Sequence, residues 1–113
     1  MTSRAIHILL IIMKIENVKV YCYTSPSGKK YIGITNNIKS RAGREGSGYK
    51  SCPLFYKAIL KYGFENMSLE ILEDNLDYHT AFEKEKYYIA LYKTQNPEYG
   101  YNISAGGEAF FLG

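Results

Sequence analysis

The sequence predicts an α/β domain with a small, mostly antiparallel three-stranded sheet flanked by helices, and three observations carry that expectation. Residues 18–24 alternate as a strand does, with Val18, Val20 and Cys22 to one side and Lys19, Tyr21 and Tyr23 to the other. Residues 30–34 have the same character and follow turn chemistry at Ser25-Pro26-Ser27-Gly28, so the two stretches form a hairpin with a longer loop. From Tyr78 onward the apolar positions recur at helical spacing instead.

The remaining elements follow in chain order. Residues 6–13 are apolar but far short of the roughly 20 residues a membrane span needs, and they lack a signal-peptide cleavage site. Two readings stay open for residues 1–13: an extension ahead of a true start at Met13, or an extra edge strand. The domain proper is expected to span 14–113. Asn36 or Asn37 caps a short helix through Ile38 and Arg41, and Gly43, Gly46 and Gly48 then give a flexible basic loop up to Lys50. Pro53 opens a helix with Leu54, Ala58, Ile59 and Tyr62 as its buried stripe, and Gly63 closes it. Residues 67–71 form a third strand with Met67, Leu69 and Ile71 inward, and Asp77 caps a long helix to about Lys93. Residues 96–100 turn the chain into a glycine-rich tail.

A chain of 113 residues is one domain. It is 46% hydrophobic and 22% charged, so it can bury a core without disulfide or metal staples. Cys22 and Cys52 stand far apart and His7 and His79 add no ligand spacing, which argues against a cysteine-based zinc module and for a reducing compartment. Twelve Tyr and no Trp offer stacking surfaces for nucleic acid, although Tyr also fills cores. The net charge of +3 permits a polyanionic partner without requiring one. Its distribution is uneven: residues 27–61 carry Lys29, Lys30, Lys39, Arg41, Arg44, Lys50, Lys57 and Lys61 against Glu45 alone. The glycine spacing of a phosphate-binding loop is absent from Ser27-Gly28-Lys29-Lys30.

The long helix holds the most informative residue. At about 100° per residue, Tyr78, Phe82, Glu85, Ile89 and Tyr92 share one narrow face, with Glu85 near its middle. A carboxylate in an apolar stripe is costly unless it is paired, hydrogen-bonded or bound to a metal. It is either half of a buried ion pair with Arg41 or a lysine, or a metal ligand or catalytic acid/base.

Taken in order, these residues resemble the GIY-YIG nucleases. Tyr31-Ile32-Gly33 follows Tyr21 at the end of a hairpin, and Arg41 matches the arginine of that family's first helix. The run from Leu54 to Asn66 resembles the middle helix of phage and intron-encoded homing members. Glu85-Lys86-Tyr87-Tyr88-Ile89 resembles the segment around the metal-binding glutamate, and Gly100-Tyr101-Asn102-Ile103 with Gly106-Gly107-Glu108 resembles the closing motif. The likeness covers roughly residues 19–108. Two departures stand out: Lys19-Val20-Tyr21 replaces the first triplet, and Glu45 stands where members carry His or Tyr, a role that Tyr49 or Lys50 could fill by folding back.

The resemblance implies a metal-dependent endonuclease of homing or mobile-element type, acting on DNA in the cytoplasm of a bacterial or phage-infected cell. Its catalytic residues would be Tyr21, Tyr31, Arg41, Glu85 and Asn102, with one Mg²⁺ (or Mn²⁺) on Glu85. Tyr21 or Tyr31 would act as general base or orient the attacking water, helped by Arg41 or Lys30 as cationic neighbours. Arg41 would clamp the scissile phosphate, and Asn102 would fix the geometry. Lys29, Lys30, Arg44 and Lys50 would add phosphate affinity, and recognition of a target would come from a partner or a further domain. Two other classes compete: a fold of this kind that binds nucleic acid without cutting it, and a structural protein using its tyrosines as an interface. No membrane role is expected.

Overall fold

The computed structural model describes residues 16–106, so the N-terminal run and the end of the glycine-rich tail lie outside the described residues. Strands β1 (Val18–Thr24), β2 (Lys30–Thr35) and β3 (Ser68–Leu76) form one sheet in the order β2-β1-β3. Both pairings are antiparallel, with Tyr21 opposite Gly33 on one side and Ile71 on the other. The expected fold class is the observed one.

Each helix begins where its capping chemistry places it. Helix α1 (Ile38–Ala42) starts at Asn37, whose side chain accepts from the Ser40 N–H. Helix α2 (Pro53–Tyr62) carries Pro53 in its first turn and ends at Gly63. Helix α3 (Tyr78–Tyr92) is capped by the Asp77 carboxylate, which accepts from the Thr80 N–H at 2.7 Å.

The alternation in β1 sorts the interior into two cores. Val18, Val20, Cys22 and Ile32 pack against Ala81 and Ile89 of α3 on one face of the sheet. Tyr21 and Tyr23 pack against Tyr49, Phe55, Ala58 and Ile59 on the other. The central strand is thus buried on both faces.

Three expectations need correction. The stretch after α1 is not a flexible loop: residues Arg44–Tyr49 form a 3₁₀ turn that buries Gly46 and Tyr49. In α2 the buried positions are Phe55, Ala58 and Ile59, while Leu54 is exposed, because the helix turns Phe55 onto the ring of Tyr31. The third strand runs on to Leu76, and Leu69 and Ile71 are exposed. They lie opposite Tyr23 and Tyr21, as expected for the inward face, but β3 is an edge strand whose rim the helices there do not fully cover. Leu72 and Leu76 instead join the core beneath α3.

Candidate active site

The second strand is where both faces of the sheet meet the rest of the chain. Gly33 lies opposite Tyr21, and the Tyr21 ring crosses over it: a Cβ added there would sit 2.5 Å from the ring's Cζ and collide with the hydroxyl too. Only glycine lets the phenol pass across the edge strand. At the end of that ring, the Tyr49 hydroxyl donates to the Tyr21 hydroxyl at 2.8 Å, both residues being buried.

Tyr49 reaches this place through the backbone between α1 and α2. Gly43 ends α1 at a φ of 65°, and the 3₁₀ turn then passes through positive φ at Glu45 (55°) and Gly46 (82°), which doubles the chain back. The return lays the Tyr49 ring under Arg41, whose guanidinium carbon is 4.4 Å from the ring centroid. The same guanidinium donates to the Gly48 carbonyl and, through Nη2, to Cys52 Sγ at 3.4 Å. Cys52 Sγ also lies 3.4 Å from the Tyr31 hydroxyl. The Tyr31 ring stacks on Phe55 with centroids 4.4 Å apart and meets Tyr49 edge-on at 5.6 Å.

Tyr21, Tyr31 and Arg41, brought from three separate stretches, therefore share one cluster with Tyr49. Cys52 and Phe55, which the sequence reading did not single out, complete it. The one signal for Cys52 was its place just before Pro53, at the cap of α2, where a side chain faces back toward the preceding turn.

Burial sets the protonation of this cluster. It drives the Tyr21 phenol well above its usual value, with Tyr31 adding to the rise and the Tyr49 hydrogen bond and Arg41 opposing it. Tyr31 is likewise pushed well up, first by burial and then by Cys52, and Tyr49 is raised by burial and by Tyr21. Burial works against the Arg41 charge, but the surrounding phenols and thiol outweigh it and raise its pKa. At neutral pH the site is a permanent cation among protonated hydroxyls. That arrangement places hydroxyl donors beside a fixed positive charge, as orientation of a water requires.

Asn102 closes the outer edge of β2. Its Oδ1 accepts from the Ile32 N–H and its Nδ2 donates to the Ile32 carbonyl, both at 2.9 Å, so the side-chain amide stands in for a neighbouring strand. One step earlier, Lys30 forms a parallel bridge with Gly100. Its N–H donates to the Tyr99 carbonyl and its own carbonyl accepts from the Tyr101 N–H. The closing segment thus runs along the edge strand, fixed on either side of Tyr31.

Glu85 is 5% exposed on α3, in a stripe with Ala81 and Ile89, on the opposite face of the sheet from the phenols. The closing segment crosses it at Gly106 (φ 89°), where an added Cβ would lie 2.9 Å from Glu85 Oε1. No group of three or more His, Cys, Asp or Glu residues is placed to hold a metal among the described residues. The donor set here, one buried carboxylate beside backbone without a side chain, suits a hard cation that keeps its own waters.

The other expected residues are dispersed. The Lys30 ammonium bonds Thr24 Oγ1 at 2.9 Å and lies over the Tyr92 ring, on the α3 side, so it is not the phenols' cationic neighbour. Lys29 is partly exposed at the hairpin turn, near Tyr62. Arg44, Glu45 and Lys50 are exposed on and just after the 3₁₀ turn. An open cavity of about 490 Å³ beside Ile38, Phe64 and Leu69 contains none of these residues.

The family model described as the GIY-YIG catalytic domain matches residues 17–102 of the chain. No curated protein and no solved structure matched it.

Proposed function

The chain belongs to the GIY-YIG catalytic domain family, a family of nucleases acting on DNA, and from that premise we propose that it is a divalent-metal-dependent endonuclease of mobile-element type. The observation that carries this reading is the convergence of Arg41 with three protonated phenols, Tyr21, Tyr31 and Tyr49, at the edge strand. A half-buried guanidinium whose polar contacts here are a carbonyl and a thiol is placed to take a phosphate as its anion.

In this reading the scissile phosphate straddles the rim of β2, with Arg41 on one side and Glu85 on the other. Arg41 clamps two phosphate oxygens with its planar fork, which a lysine cannot match. Tyr21 and Tyr31 remain protonated and orient the attacking water by hydrogen bonds. Tyr49 takes the place of the His or Tyr that members carry at the position of Glu45. Asn102 and the Lys30 bridge keep the edge strand straight beneath Tyr31. Glu85 would hold a single Mg²⁺ or Mn²⁺, which when bound supplies positive charge to the developing transition state. Lys29, Arg44 and Lys50 add phosphate affinity independent of sequence. Target recognition comes from a partner or a further domain, and the site of action is the cytoplasm.

A second reading, a DNA-binding member without turnover, is favoured by one observation: Glu45 is exposed and outside the cluster. Nicking of supercoiled plasmid in Mg²⁺ by wild type and by Glu85→Gln separates the two. Cleavage by wild type, abolished in the variant and by chelator, is the expected result. Equal DNA retention with no nicking by either chain would overturn the nuclease and leave the binder.

A further inference from the structure

The thiol of Cys52 sits at the junction of the cluster. Its Sγ accepts a hydrogen bond from Arg41 Nη2 and shares one with the Tyr31 hydroxyl, each at 3.4 Å. The backbone around it is fixed on both sides: the Cys52 N–H donates to the Tyr49 carbonyl at 2.9 Å, and its own carbonyl accepts from Tyr56 at 2.8 Å. The sulfur is thus held by the first turn of α2, and two long side chains from α1 and β2 converge on it. Tyr49 also touches both, its ring lying under Arg41 and edge-on to the Tyr31 ring, but Cys52 Sγ meets the guanidinium and the Tyr31 hydroxyl at their polar atoms; the guanidinium is otherwise held by the Gly48 carbonyl.

We propose that Cys52 is a positioning residue, whose sulfur couples the Arg41 guanidinium to the Tyr31 hydroxyl and holds the two in register for a phosphate. The proposal rests on the nuclease reading for its purpose but not for its geometry. Sulfur suits the task because it is large enough to reach both partners and makes weak, long hydrogen bonds that neither neutralise the arginine nor compete strongly with a phosphate. A carboxylate in the same place would pair with Arg41 and occupy it. The thiol is half-buried, so its contacts also withdraw two flexible groups from solvent.

The test compares Cys52→Ala, which deletes the bridge, with Cys52→Ser, which keeps a smaller one. Two readouts are taken on the full chain: the single-turnover rate of plasmid nicking at saturating protein in Mg²⁺, and the ¹H–¹⁵N heteronuclear NOE of the Arg41 Nε–H without DNA. The expected result is a roughly tenfold slower cleavage step and a lowered Arg41 NOE in Cys52→Ala, with both recovering most of the way in Cys52→Ser. A purely packing role for the sulfur predicts the reverse order, since alanine is the better apolar substitute. An Arg41 NOE unchanged in Cys52→Ala, or a serine variant as impaired as the alanine one, overturns the proposal. Wild type that nicks nothing, with an Arg41 NOE that still follows the residue at 52, overturns the nuclease reading while supporting the contact.

Discussion

Removing one hydroxyl from the Tyr49–Tyr21 pair should destabilise the fold more than removing both. The pair is buried, with Tyr49 0% and Tyr21 1% exposed, and Tyr49 donates to Tyr21 at 2.8 Å. Tyr49→Phe leaves the Tyr21 hydroxyl without its donor, and Tyr21→Phe leaves the Tyr49 donor without its acceptor. An orphaned buried hydroxyl costs about 1–3 kcal/mol, more than the net contribution of about 1 kcal/mol from an intact neutral hydrogen bond. Each single variant should therefore lose about 2 kcal/mol, equivalent to a fall in Tm of roughly 10 °C for a domain of this size. The double variant, in which neither orphan remains, should lose only the net contribution of the intact bond, about 1 kcal/mol, roughly 3 kcal/mol less than the sum of the singles. Urea melts of the four chains, with unchanged slopes, measure the coupling. Losses that add within about 0.5 kcal/mol would show that the two hydroxyls do not depend on each other. That result would also remove the basis for assigning Tyr49 a place beside Tyr21.

Stability should fall steeply in base. Tyr21, Tyr31 and Tyr49 all have raised pKa values when folded, so they stay protonated where the unfolded chain releases protons near pH 10. The stability this represents is full below about pH 10 and is lost as pH rises above it, at about 1.4 kcal/mol per unit for each phenol and about 4 for the three. Urea melts from pH 8 to 11 should show at least that slope, since Tyr23 and Tyr88 are raised as well, and Tyr31→Phe should remove about 1.4 kcal/mol per unit of it. Gly33→Ala forces its methyl into the Tyr21 ring and should cost about 1–3 kcal/mol of stability together with most of the nicking activity; a variant that melts and cuts like wild type would refute the close approach. Asn102→Leu leaves the Ile32 N–H and carbonyl without partners and should cost about 2–4 kcal/mol. Asn102→Asp keeps the acceptor but, when ionised, sets a charged oxygen against the Ile32 carbonyl in a buried place, so its thermal melt should come closer to wild type at acid pH, where the protonated carboxyl can donate, than at pH 7.

Much of the fold could be read from local chemistry because local chemistry builds it. The alternation of β1 assigns its residues to the correct faces, and Asn37, Pro53, Gly63 and Asp77 mark helix ends because capping acts within a turn of the chain. Burial of Glu85 was also legible, since its place in the α3 stripe depends only on helical spacing. What was not legible depended on partners far away in sequence. Three closely spaced glycines with one acid and one arginine look like a loop. Whether they fold compactly depends on whether Phe64 and Ile59 are there to receive Gly46, which an added Cβ would bring to 2.8 Å and 3.2 Å of those side chains. Asn102 likewise finds its partner 70 residues back, and no local pattern reveals that its amide will serve as a strand.

The residue at the family's His or Tyr position shows why this difference matters for function. Read along the chain, Glu45 in that position counts against catalysis. In space, Tyr49 four residues later sets a hydroxyl beside Tyr21 and an aromatic face beneath Arg41, and under the proposed function it would fill that place. The positive-φ turn at Glu45 and Gly46 supplies the displacement, moving Glu45 outward as it carries Tyr49 in. On that reading the exchange would conserve geometry while altering the motif, with the path of the backbone counting for more than the spacing of the letters.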